Sequence, residues 1–161
     1  MSPGRKELER GLSSASTAPR HAHVTPEARF RAYIQVFNQG DWDALRGFYA
    51  PDIRLVIGNG TELSGRDAIV EFYGRVKQQT RRTIEIVQCF AQGNVLAAEI
   101  ESEFLAVEDA PDFSIRPMAR GDRYYLNSFV FYDFEADRYT RIRAATFRRE
   151  FRPLVPAETP G

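Results

Sequence analysis

Residues 37–73 read FNQGDWDALRGFYAPDIRLVIGNGTELSGRDAIVEFY. Gly40 closes a helix, and Asp41 caps a short second one in which Trp42, Leu45, Phe48 and Tyr49 face inward. Pro51 ends that helix, because the residue before a proline avoids helical backbone. Residues 53–57 form a short strand, and Gly58-Asn59-Gly60 turns the chain. After Gly65, the spacing of Ile69, Phe72, Tyr73 and Val76 predicts a third, amphipathic helix. A helix end, a short helix, a strand and another helix in this order build one wall of a ligand-sized pocket.

Upstream, Thr25 and Pro26 supply an N-cap and a proline at the first helical position. Phe30, Tyr33, Ile34 and Phe37 follow at helical spacing. Downstream the chain reads as sheet, with strands near 82–91, 94–107, 122–134 and 138–150. Gln92-Gly93-Asn94 joins the first two as a hairpin, Ala136-Asp137 turns into the last, and residues 108–121 are a longer loop. Three helices followed by a long antiparallel meander predict an α+β fold with the helices on one face of the sheet. Residues 25–152 form the domain, residues 1–24 a flexible polar tail and residues 153–161 a proline-rich irregular end.

The 161 residues suit one domain with one core. Lysine plus arginine and aspartate plus glutamate each number 22, so no basic excess is left over for nucleic acid. No apolar run reaches the length of a membrane span. Cys89 is the single cysteine, so no intrachain disulfide forms, and a cytoplasmic, reducing location is expected. Without an adjacent histidine its thiol reads as inert. Both histidines, His21 and His23, lie in the tail, which excludes a Ser-His-Asp or Cys-His centre within the domain and removes the usual imidazole metal ligands. No phosphate-binding loop is present. Asn59-Gly60-Thr61 spells a glycosylation sequon that reads here as a turn, and Arg81-Arg82 reads as a solvated strand entrance.

FNQGDWDAL with FYAPDI, then SGRDAIVEFY, then DRYTRIRAATFRREF resemble, in that order and spacing, the SnoaL-like branch of the nuclear transport factor 2-like superfamily. The resemblance covers roughly residues 25–151. It implies a cone, in which a curved sheet wraps around helices and leaves a pocket in the mouth. Polyketide cyclases, ketosteroid isomerases and limonene epoxide hydrolases are members, many are homodimers through the outer sheet face, and no tight cofactor or metal is typical.

The resemblance also sorts residues. Aligned without gaps, VLAAEIESEF is similar to the epoxide-hydrolase strand that carries an arginine and an aspartate, which fall on Glu99 and Glu101. The second hydrolase aspartate falls on Ala144, and the water-holding tyrosine and asparagine on Leu55 and Ile57, so that five-residue set is not reproduced. This alignment implies a pocket wall of Ile57, Glu99, Glu101, Leu126, Ser128, Val130, Tyr132, Ile142, Ala144 and Thr146, and Tyr33 and Phe72 are the helix aromatics expected to face it. Glu101 would be the general base, since a carboxylate in an apolar pocket has a raised pKa. Tyr33 and Tyr132 would be hydrogen-bond donors. Leu96, Ala98, Ile100, Phe104, Phe129, Phe131 and Phe147 would form an apolar outer face suited to a dimer. Glu99, Glu101 and Glu103 also fit a solvated face paired with arginines. A one-residue shift of register moves them outside and brings in Tyr125, Asn127, Phe129 and Arg143. Two functions fit: cofactor-independent acid–base chemistry (isomerase, cyclase or hydrolase type) on a hydrophobic, oxygen-bearing substrate, or a non-catalytic ligand-binding or protein-assembly domain.

Overall fold

The computed structural model describes residues 24–58 and 60–155. The tail through His23, the sequon residue Asn59 and the chain after Val155 lie outside the described residues. Helices α1 (Pro26–Gln39), α2 (Trp42–Arg46) and α3 (Arg66–Gln79) pack on a six-stranded sheet. Its strands are β1 (Tyr49–Val56), β2 (Glu62–Ser64), β3 (Thr80–Gln92), β4 (Val95–Ala106), β5 (Arg123–Glu135) and β6 (Arg138–Arg152), in the order β2-β1-β6-β5-β4-β3. Only β1 and β6 run parallel. The result is the α+β cone. Among the described residues no helix is long and apolar enough to cross a membrane.

The helices start and stop where the caps dictate. Thr25 accepts a hydrogen bond from the Ala28 N–H, and Gly40 ends α1 in left-handed backbone at φ 69°. Asp41 caps α2 by accepting from the Ala44 N–H. Asn38 then pins α1 to the sheet: its amide nitrogen donates to the Ile84 carbonyl at 2.9 Å and its carbonyl oxygen accepts from the Ile84 N–H at 2.8 Å. This bond pair fixes Tyr33 and Phe37 over the sheet, where both are buried.

The expected end of α2 needs correction. The helix stops at Arg46, and β1 begins at Tyr49 instead of residue 53. Tyr49 is drawn into register with Tyr139 of β6, and Pro51 falls in the irregular stretch between Tyr49 and Arg54, where the ladder asks for no N–H. The loop between β4 and β5 also carries a core of its own. Ala110, Phe113 and Met118 pack on Phe104 and Tyr124, and an Ala110–Met118 bridge closes the loop. Asp122 anchors its base by accepting from the N–H groups of Ala119 and Leu154.

Candidate ligand cavity

A cavity of about 240 Å³ opens between the helices and the concave sheet face. Helix α1 contributes Tyr33 and Phe37, and α3 contributes Phe72, Tyr73 and Val76. Leu55, Ile57 and Gly58 come from β1 and its turn, Arg82 and Ile84 from β3, and Ile100 and Phe104 from β4. Strand β5 presents Leu126, Ser128, Val130 and Tyr132, and β6 presents Ile142, Ala144, Thr146 and Arg149. Phe113, Ser114 and Ile115 of the folded loop complete the wall.

Ten of the residues singled out from sequence meet here: Tyr33, Ile57, Phe72, Leu126, Ser128, Val130, Tyr132, Ile142, Ala144 and Thr146. Glu99 and Glu101 do not. On β4 the residues Leu96, Ala98, Ile100, Ser102, Phe104 and Ala106 are buried, and the intervening glutamates point to the outer face. Ile100 sits opposite Ser128 and Glu101 opposite Asn127, whose amide donates to Glu101 at 3.2 Å. Glu103 accepts from Tyr125 and Arg123 on the same outer face. The gapless comparison therefore set β4 one residue out of step with β5. Burying the apolar set and leaving three carboxylates towards solvent is the cheaper arrangement. The supposed apolar outer face divides accordingly: Leu96, Ala98, Ile100 and Phe104 are inside, whereas Phe129, Phe131 and Phe147 are exposed.

Two arginines enter the wall unannounced. Arg82 faces inward because it is in register with Phe104 and two residues from Ile84, which corrects its reading as a solvated entrance. Period-two counting from Ile84 was the available signal. Arg149 follows from a β-bulge: Ser128 pairs with Thr146 but Asn127 pairs with Arg148, so Phe147 is the extra residue and Arg149 comes opposite Leu126. Simple alternation from Ile142, Ala144 and Thr146 points to Arg148 instead.

The polar groups of the wall are hydroxyls and two arginines, every one of which can donate a hydrogen bond. The Tyr33 and Tyr49 hydroxyls lie 2.5 Å apart, and burial pushes both phenols well above the usual range. Burial raises Tyr73 too, with the charge of Arg82 pulling it partly back. Burial likewise pushes Tyr132 up, reinforced by the nearby Tyr73 and Tyr139 phenols. These groups stay protonated near neutrality and donate hydrogen bonds; they do not accept protons as bases. Ser128 and Thr146 share a hydroxyl–hydroxyl bond of 3.1 Å. Among the described residues that line the cavity there is no Asp, Glu or His, and among all described residues no cluster of such side chains is placed to hold a metal.

The profile of the SnoaL-like domain family matches residues 30–142. Among solved structures, a candidate polyketide cyclase of Xanthomonas campestris pv. campestris is 27% identical, with a TM-score of 0.65 over 74% of this chain and 87% of that one. A second candidate polyketide cyclase, from Pseudomonas putida KT2440, is 24% identical with a TM-score of 0.62 over 73% and 87% of the two chains. An LEH-like epoxide hydrolase of M. tuberculosis is 12% identical with a TM-score of 0.60 over 74% and 80%, a likeness of fold. No curated protein matches the chain in sequence.

Proposed function

The chain belongs to the SnoaL-like domain family, and from that premise we propose that its cavity binds one hydrophobic, oxygen-bearing small molecule, held by shape and by hydrogen-bond donors. The observation that carries this reading is the wall itself: aliphatic and aromatic side chains with a few converging donors and no described carboxylate. A catalytic reading of isomerase, cyclase or hydrolase type is supported by the 27% identical candidate polyketide cyclase. In that case Tyr33, Tyr132 or Arg82 would stabilise a developing oxyanion, and solvent would take the proton. Glu101 has no part in either version. The lone free thiol, Cys89, is in keeping with a cytoplasmic setting.

The test is a thermal-shift panel of terpene epoxides, steroids, aromatic polyketides and lactones on wild type and Glu101→Gln. One class at about a hundred times its Kd is expected to raise Tm by about 5–10 °C. The shift should be equal in both proteins, and any turnover found should be unchanged by the substitution. No shift with any class sinks the binding reading, and a Glu101→Gln protein that loses turnover would return the carboxylate to the mechanism.

The same reading includes a homodimer through the outer sheet face. Phe90, Phe129, Phe131 and Phe147 are 62%, 52%, 48% and 49% exposed, and the rings of Phe129 and Phe147 stack at 4.4 Å. Exposed aromatic rings gathered on one sheet face are of the kind that partners cover. In sedimentation velocity, wild type should run as a dimer and the double variant Phe129→Glu, Phe147→Glu as a folded monomer. A monomeric wild type at tens of micromolar overturns this.

A further inference from the structure

Among the described residues Arg82 is a cation without a counter-ion. None of the ion pairs among the described residues includes it. One terminal nitrogen donates to the buried hydroxyl of Ser102 at 3.0 Å, and its Nε is sealed from solvent with no partner. Its guanidinium lies 5.0 Å from the ring centre of Phe104, 5.2 Å from that of Phe37 and 5.9 Å from that of Tyr73. The half-buried guanidinium is framed by aromatic rings and by the hydroxyls of Ser102 and Tyr73, with no carboxylate paired to it among the described residues, and arginine in such a frame is already oriented for a planar anion. The side chain lines the ligand cavity and also a neighbouring groove of about 320 Å³ lined by Lys77 and Arg81. Lys77 and Arg81 therefore add positive charge on the groove side of Arg82.

We propose that the ligand of this cavity is an apolar carboxylic acid whose carboxylate is received by Arg82, with its hydrocarbon body lying towards Ile100, Val130 and Ala144. The inference rests on the small-molecule reading above and narrows it. Tyr73, beside the guanidinium and protonated, adds a donor to the same oxygen atoms. Arg149, on the cavity wall and exposed, is a second cation that could collect the acid without holding it.

The experiment is calorimetric titration with naphthalene-2-carboxylate and its primary amide, which share shape and differ in charge at pH 7. Wild type, Arg82→Met, Arg82→Lys and Arg149→Met are compared, with N-phenyl-1-naphthylamine as a neutral fluorescent probe of cavity occupancy. The acid is expected to bind wild type about tenfold or more tighter than the amide, as charge-assisted hydrogen bonds imply. Arg82→Met should bring that ratio near one while the neutral probe still binds, and Arg82→Lys should keep part of it. Equal binding of acid and amide by wild type overturns the inference, a comparison that needs no variant to fold. So does a preference that survives Arg82→Met and disappears in Arg149→Met. If the neutral probe binds and neither naphthalene compound does, the inference fails and the cavity reading stands. If the wild type takes up none of the three, both fail.

Discussion

Raising the pH from 9 to 12 is expected to unfold the protein cooperatively, with tyrosinate appearing only as secondary structure is lost. Tyr33, Tyr49, Tyr132 and Tyr139 are each at most 4% exposed. Burial is the first cause that pushes each phenol above its ordinary value of 10.0. A folded-state pKa above the unfolded one gives stability that is complete below about pH 10 and is lost as pH climbs towards the folded value. At pH 11.5 a phenol that stays neutral in the fold but ionises in the unfolded chain forfeits about 2 kcal/mol, and four forfeit about 8 kcal/mol. Domains of this kind hold about 5–15 kcal/mol in total, so the loss reaches the scale of the whole fold. Absorbance at 295 nm and far-ultraviolet circular dichroism, followed together, should change with one midpoint. Tyrosinate absorbance that rises near pH 10 over native dichroism would contradict the enclosed cluster. Tyr139→Phe adds a directional check. Its hydroxyl is buried without a partner among the described residues, so removing it should move the midpoint to higher pH without weakening the fold at pH 7.

The same tyrosines show what could be read from the chain and what could not. Helix α1, its cap and its inward face depend on residues within four positions of one another, and Thr25, Pro26, Tyr33 and Gly40 announce them. Strict alternation puts Leu126, Ser128, Val130 and Tyr132 on one face of β5 and Ile142, Ala144 and Thr146 on one face of β6, and it is the family resemblance that turns those faces towards a pocket. Strand β4 carries two alternating sets, and its own chemistry separates them: leucine, isoleucine and phenylalanine in one, three glutamates in the other. That local signal, and not likeness to a distant strand, decides that Glu101 lies on the outer face. Bulges hide more deeply. Val87, Thr140 and Phe147 each shift a ladder by one residue, and none is a glycine that would mark the place. The parallel pairing of β1 with β6 joins residues about ninety positions apart, so nothing local determines it. The lobe over residues 107–122 reads from sequence only as a longer loop, because the packing of Phe113 and Met118 on Phe104 and Tyr124 is set by contacts between strands and not by a local pattern.

Ala144→Phe is expected to abolish uptake of N-phenyl-1-naphthylamine, at least about a hundredfold weaker binding, while leaving the protein as stable as wild type or more so. Ala144 faces the cavity opposite Val130, packed against the core. A benzyl group there projects into about 240 Å³ of space that the ligand needs. Filling an apolar cavity commonly adds about 0.5–2 kcal/mol of stability, so function and stability should move in opposite directions. A substitution that merely damaged the fold would lower both. Ala145→Phe is the matching control, since Ala145 is exposed on the outer face opposite Phe129, and the same added ring one residue away should leave probe binding intact. Because neighbouring side chains on a strand point to opposite faces, the pair of variants tests the register of β6 as well as the position of the ligand. Retained binding in Ala144→Phe together with loss in Ala145→Phe would place the ligand on the convex face and overturn the cavity as its site. Equal loss in both would point to a fold that tolerates neither.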